Sequence, residues 1–242
     1  MRKVRLLVIN DNVPAPGLKN DWGWSVYIDM DDKSAIFDAD TRPDILRHNI
    51  EKMGVEIGKT EFCVLSHHHW DHYGGFQYIG EVKPGLKVYV PPGNVDFLRK
   101  WRLDPVVVNK PQEIMDDVWI SGPARSSPFG IREIAMGIRI DNTGLVVIVG
   151  CSHPGVDKLS AQLMELSGEE IFLVIGGYHS PSKKSIDRLA SISRFMCPAH
   201  CSGDPAKRYV MEKYGDKYVE VRTGSEVIVE NKEIKVMNAP YK

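Results

Sequence analysis

The chain has 242 residues, 43% of them hydrophobic and 26% charged, which suits a single soluble domain spanning 1–242 with a well-buried core. A formal charge of −1 leaves no basic excess, which argues against nucleic acid or an anionic membrane as an obligatory partner. The longest apolar runs, Gly144–Val149 and Ile171–Ile175, are too short to span a bilayer. The basic start Met1–Arg5 is followed by only a short apolar run, Leu6–Ile9, so no secretory leader is expected and the protein is placed in the cytoplasm.

Short β-rich runs dominate the N-terminal half. Strands are expected at Val4–Ile9, Ser25–Met30 and Ala35–Phe37. Pro43 then opens a helix with Ile45, Leu46, Ile50 and Met53 on one side. Further strands are expected at Phe62–Ser66, Lys87–Val90 and Val106–Val108. Between Lys83 and Ile140 the pattern is least regular, with many prolines and glycines, and loops that shape a substrate pocket are expected there. Leu145–Val149 reads as a strand buried on both faces. Val156, Leu159, Leu163 and Leu166 have helical spacing, and Gly168 can end that helix. A strand at Ile171–Ile175 and a helix carrying Ile186, Leu189 and Ile192 follow. Asp204 is placed to cap a helix whose first residue is Pro205. Strands at Tyr218–Val221, Glu226–Val229 and Glu233–Val236 close the chain. Many strands with a few helices fit two packed sheets covered by helices outside.

The four cysteines form no disulfide framework. Cys63 lies in an apolar run and reads as core. Cys197 and Cys201 flank Pro198-Ala199-His200, which allows a small zinc site, although no second pair of finger spacing follows.

Histidines carry the chemistry. His48 stands alone on the helix after Pro43 and has no assigned role. The other seven fall in four places. In Phe62–Gly75 an apolar strand ends at Ser66 and His67-His68-His69-Trp70-Asp71-His72 begins. Residues two apart in extended chain point the same way, so His67 and His69 can grip one ion. Asp71 and His72 come at the following turn and can aim at a second. Imidazole and carboxylate suit zinc, iron or manganese. His68 and Trp70 point away and are assigned either to packing or to supporting the ligands from behind. The other three places are His153 in Gly150–Gly155, His179 in Gly176–Ser180 and His200 in Cys197–Gly203. Each sits just after an apolar run, where sites in layered α/β proteins gather.

His67-x-His69-x-Asp71-His72 resembles the signature of the metallo-β-lactamase superfamily, and the resemblance extends over nearly the whole chain. It implies an α/β fold of αββα sandwich type, two mixed β-sheets flanked by helices, with a dinuclear site at one edge. It implies two divalent metal ions, zinc foremost with manganese or iron as the others, held by His67, His69, Asp71, His72, His153 and His200. Ala35-Ile36-Phe37-Asp38 resembles the strand whose terminal Asp supports that site by hydrogen bonding. Asp71, His179 and Asp38 are therefore the residues assigned to catalysis. The sequence departs from the family in two ways. Asp38 is followed by Ala39-Asp40 where Thr-Gly is usual, and Asp40 either adds charge near the site or faces solvent. The strand after the third motif ends in Gly176-Gly177, where many members supply a metal-bridging Asp, so either water bridges the ions or His179 reaches in. His179 is thus a ligand, a residue supporting the ligands from behind, or a substrate contact.

The phrases Gly150–Gly155, Ile175–His179 and Ala199–Gly203, with Trp119–Arg125 and Val8–Asn12, resemble one branch of the superfamily. That branch includes the archaeal dihydropterin–ribofuranosylaminobenzene phosphate synthases. The resemblance implies a small phosphorylated substrate, and a transferase that condenses 6-hydroxymethyl-7,8-dihydropterin pyrophosphate with ribofuranosylaminobenzene 5′-phosphate. Metal-dependent hydrolysis of a phosphodiester or lactone is a second reading, and a non-hydrolytic iron-binding redox module a third. Arg125, Lys183 and Lys184, with Arg132, are candidate phosphate contacts because guanidinium and ammonium groups pair well with phosphate. Trp22 and Trp24 are candidates to stack a flat ring or simply to pack.

Overall fold

The computed structural model describes residues 3–31, 33–128, 130–238 and 241, so Met1 and Arg2 of the basic start lie outside the described residues. The chain begins with β1 (Lys3–Asn10), β2 (Ser25–Met30), β3 (Lys33–Phe37), α1 (Pro43–Met53), β4 (Thr60–Val64), α2 (Trp70–Tyr73) and α3 (Phe76–Val82). Then come β5 (Lys87–Val90), α4 (Asp96–Lys100), β6 (Asp104–Val107), β7 (Gln112–Met115), β8 (Val118–Ile120), β9 (Ala124–Arg125), β10 (Arg132–Glu133), β11 (Met136–Ile140) and β12 (Gly144–Val149). The last part adds α5 (Val156–Ser167), β13 (Ile171–Gly177), α6 (Lys183–Ile192), β14 (Ser193–Ala199), α7 (Asp204–Lys213), β15 (Ser225–Glu230) and β16 (Glu233–Asn238).

Two large sheets result. One runs β16-β15-β1-β2-β3-β4-β5-β6, antiparallel as far as β3 and parallel from there to β6. The other runs β14-β13-β12-β11-β8-β7, with its parallel part at β12–β14. Alternation divides each strand between two cores. Val4, Leu6 and Val8 of β1 enter the core between the sheets, while Leu7 and Ile9 face the helix side, where Leu46, Ile50, Phe76 and Ile79 pack. β12 sends Val146 and Ile148 to the core between the sheets, and Leu145, Val147 and Val149 toward Leu159, Leu163, Leu189 and Val210. It is buried on both faces as its composition requires. Removing each such side chain from water contributes roughly 1.5–3 kcal/mol. The outcome is the expected layering of helices, sheet, sheet and helices.

Several expectations need correction. Tyr218–Val221 forms no strand. Only a single bridge joins Tyr218 to Met196, and Val219 and Val221 insert into the core between the sheets. The three-residue turn Gly215–Lys217 immediately ahead leaves too little straight chain for a ladder. Asp204 is the first residue of α7, not its cap. Gly203 takes the cap position at φ 76°, and no side chain caps the helix. The segment Lys83–Ile140 is more regular than its prolines imply, since it carries β5 to β11 and α4.

Candidate metal centre

The site is built where β3, β4, β12, β13 and β14 end. Asp38 continues the β3–β4 ladder, its N–H donating to Val64 O at 2.8 Å, and then turns to φ 54°. That turn aims the carboxylate at the next strand end. Asp38 Oδ1 accepts from Ser66 N at 2.7 Å, Oδ2 accepts from the Ser66 hydroxyl at 2.7 Å, and Oδ2 lies 2.6 Å from His72 Nδ1. Burial pushes the Asp38 carboxyl up and the charge of His72 opposes it. Burial alone would depress His72, but the Asp38 charge and hydrogen bond hold it up to about 9. His72 Nδ1 faces Asp38, and Nε2 is the nitrogen that faces the site. Asp38 is completely buried, and its carboxylate contacts only Ser66 and His72 among the described residues.

The ligand-type atoms among the described residues fall into three groups, two of which adjoin and a third of which, Cys151 with His179 and Cys201, shares Cys151. His67, His69 and His153 form one of the adjoining sets, and Asp71, His72, Cys151 and His200 the other; within each set the donor atoms lie within 4.8 Å of one another. The sets meet at His67 and His72, whose ring centroids are 4.2 Å apart. Three further Nδ1 atoms are tied away from the centre, as that of His72 is by Asp38. That of His67 sits 2.9 Å from Ser66 Oγ, that of His153 2.9 Å from Glu133 Oε2, and that of His200 3.0 Å from Asn12 Oδ1. Such partners set the tautomer and orient a ligating ring. His67 Nε2 is buried and has no hydrogen-bond partner among the described residues, and His200 Nε2, also buried, lies 3.4 Å from Asp71 Oδ2 outside hydrogen-bond geometry. Leaving such an atom unmatched costs roughly 1–3 kcal/mol, and a cation lodged in each set removes that cost. Imidazole, carboxylate and thiol donors suit zinc or iron, so the residues present fit a pair of metal ions. Burial depresses His67, aided by the neighbouring histidines, which keeps it neutral as a ligand must be. Asp71 would be raised by its partial burial, but His200 and His72 hold it well below the usual carboxylate range.

Some residues of this centre were not foreseen in the sequence. Cys151 belongs to the second set, and its Sγ lies 3.2 Å from His72 Nε2. It comes from the end of β12, two residues before His153. Glu133 has no exposed surface and accepts from the N–H groups of Cys151, Ser152 and His153 at 2.8, 2.6 and 2.8 Å. Asp11 accepts from His200 N at 2.6 Å. Trp22 Nε1 donates to Asp71 Oδ2 at 2.9 Å, and the indole tilts over His200 at 5.2 Å while remaining 57% exposed. Trp24 is fully buried and packs. Asp40, left open between a role near the site and solvent, is fully buried, and its Oδ1 accepts from Asn10 Nδ2 and Thr41 N.

His179 stands beside the two sets. Its ring lies 4.2 Å from that of His153, and it groups with Cys151 and Cys201. It also lines a cleft with Ser152, Ser180 and Arg188. Arg125 and Arg132 line a cavity of about 350 Å³ that His69 also borders. Lys183 and Lys184 open α6, with Lys183 Nζ 5.0 Å from the centre of the Tyr209 ring. Neither lines that cavity. His68 points away, with Nε2 3.0 Å from Pro91 O, and Trp70 is exposed against Tyr73.

Residues 23–184 match the family model described as the metallo-β-lactamase superfamily, and the chain belongs to that superfamily. Members of this fold bind divalent metals such as zinc, and its enzymes include metal-dependent hydrolases. The chain is similar to the 7,8-dihydropterin-6-methyl-4-(β-D-ribofuranosyl)-aminobenzene-5′-phosphate synthase of Methanocaldococcus jannaschii, at 20% identity over 79% of this chain and 83% of that protein. An uncharacterised protein of the same organism is 27% identical over 83% of this chain and 90% of its own length. Among solved structures, Tm1679, a metal-dependent hydrolase of the β-lactamase superfamily, superposes with a TM-score of 0.81. The two are 23% identical, over 94% of this chain and 100% of that one. No helix among the described residues is long and apolar enough to cross a membrane.

Proposed function

We propose that this chain is a metal-dependent enzyme acting on a small phosphorylated substrate. One divalent cation is held by His67, His69 and His153, the other by Asp71, His72, Cys151 and His200. The observation that carries the reading is the pair of adjoining sets in which the Nδ1 atoms of His67, His72, His153 and His200 are held by other side chains while His67 Nε2 and His200 Nε2 are buried without a hydrogen-bond partner among the described residues. When bound, such a pair of cations supplies Lewis acidity toward an oxyanion and neutralises charge on a leaving group. Zinc suits the mixed nitrogen, oxygen and sulfur donors, and iron or manganese are the other candidates.

The finer reading is condensation of 6-hydroxymethyl-7,8-dihydropterin pyrophosphate with ribofuranosylaminobenzene 5′-phosphate. It is supported by the similarity to the M. jannaschii synthase and by an exposed indole at the rim of the centre. In that reaction the bond from the pterin methylene to the pyrophosphate oxygen breaks. A bond from that carbon to the arylamine nitrogen forms, pyrophosphate leaves and an N–H proton is lost. Trp22 offers a flat face for the pterin, and His179, beside the centre, is placed to accept the proton. Arg125, Lys183 and Lys184 are the proposed phosphate contacts. The test mixes both substrates with zinc-loaded protein and follows pyrophosphate release. Release that needs both substrates, with the coupled product formed, is the expected result. Hydrolysis of a simple phosphodiester or lactone without coupled product would assign a hydrolase and leave the metal centre unchanged.

A further inference from the structure

β9 and β10 form a two-residue antiparallel ladder in which Arg125 stands opposite Arg132. Successive residues of a strand face opposite ways. Glu133 therefore turns in beneath the His153 loop, where it is fully buried, and Arg132 turns out. Like charges directly opposed across a sheet repel. Several other guanidinium groups are paired with carboxylates, as in Arg139–Asp117, Arg188–Asp157 and Arg5–Glu226. Among the described residues, Arg125 and Arg132 have no such partner. Arg125 Nε makes only a long contact of 3.4 Å to Gly130 O. Both side chains border the 350 Å³ cavity whose other walls include His69 of the first ligand set, Pro92 and Ile131.

We propose that Arg125 and Arg132 together grip a phosphate group of the substrate, on the His69 side of the metal centre. This rests on the reading of a phosphorylated substrate given above and narrows its contacts to one hairpin, without Lys183 and Lys184. A phosphate relieves the repulsion between the two cations. Its oxygens accept paired N–H donors from planar guanidinium groups, a match that an ammonium group does not reproduce. The dipeptide Arg132-Glu133 thus links substrate binding to the metal loop: one residue faces the phosphate and the next holds the backbone of Cys151, Ser152 and His153.

The test is calorimetric titration of zinc-loaded protein with inorganic pyrophosphate, and separately with inorganic phosphate. Elemental analysis of every variant accompanies it. Arg125→Ala and Arg132→Ala are each expected to weaken pyrophosphate binding about tenfold, and the double variant about a hundredfold, with zinc content unchanged. Each lost charge should also flatten the dependence of affinity on salt. The double variant R125K/R132K should recover only part of the loss, because it restores charge without the planar fork. Pyrophosphate affinity within twofold of the parent protein in the zinc-replete double alanine variant would overturn the pincer alone. A parent protein that holds zinc yet binds neither anion would overturn both the pincer and the phosphorylated-substrate reading. Should the alanine pair lose zinc, R125Q/R132Q is read in its place against the same outcomes.

Discussion

Glu133 has no exposed surface, and its carboxylate accepts from three consecutive backbone N–H groups and faces His153 Nδ1. Hydrogen bonds to a charged acceptor are worth about 1.5–3 kcal/mol each, and leaving the donors unmatched costs a similar amount. Glu133→Gln replaces one acceptor oxygen with a donor facing other donors. It should lower stability by about 2–4 kcal/mol, a fall in Tm of roughly 5–15 °C for a chain of this size, and weaken retention of the metal held through His153. An unchanged Tm with full metal retention would show that the loop holds itself. Nothing in the sequence marked this residue, because a single Glu in an irregular stretch has no periodicity to set it apart. The same holds for Cys151, whose role depends on a neighbour 79 residues away. His67, His69, Asp71 and His72 were legible because their spacing follows a strand end and matches a known signature.

Asp40 provides a second residue-scale prediction. Burial pushes its carboxyl up from 3.8 to about 7, and its Oδ2 is buried without a partner. Between about pH 4 and 7 the folded protein therefore keeps a proton that the unfolded chain has lost. Stability falls as pH rises through this window and then levels off. Asp40→Asn keeps the acceptor for Asn10 and Thr41 and removes the charge. Measured by urea unfolding in the same chelating buffer, the variant should gain about 2–4 kcal/mol on the parent protein at pH 8, and little at pH 4. A gain independent of pH would show that Asp40 does not titrate in this range.

At the scale of elements, the centre depends on the ends of β12, β13 and β14 lying against one another. Gly177 shows how close that approach is. A Cβ there would come 2.5 Å from Gly150 O and 2.7 Å from Cys201 Sγ. Gly177→Ala must push these strand ends apart, at a cost of roughly 1–3 kcal/mol. It should loosen the metal on the Cys151 and His200 side first, seen as faster loss to a mild chelator while far-UV circular dichroism stays unchanged. Equal loss from both sets would show that the strand ends move as one. Elements with one dominant signal were legible from sequence, including β12 with its continuous apolar run and α5 with its helical spacing. β14 was not, since Arg194 and Pro198 interrupt its apolar residues. It lies at the sheet edge, where the missing N–H of a proline is tolerated. β5 and β6 were expected from their apolar runs, whereas β7 to β11 were hidden by short length and turn residues, and β8 and β11 owe their place to packing across the two sheets.

Over the whole molecule, two sheets bring the ligand-bearing strand ends to one edge and hold them there in unfavourable backbone geometry. Asp38, Ser152, His179 and His200 have φ of 54°, 63°, 48° and 45°, a region that costs residues other than glycine of order 1 kcal/mol each or more. Such strain persists where the surrounding structure over-determines it. Here that support is Glu133, Asp11 and the hydroxyl of Ser202, which accepts from Tyr178 N. The central claim is that this edge holds two cations through two separate sets. Elemental analysis of purified protein and of single variants tests it most directly. The account predicts about two transition-metal ions per chain, with His69→Ala and His200→Ala each retaining about one. Full metal content in both variants, or no metal in the parent protein after incubation with zinc, would contradict it.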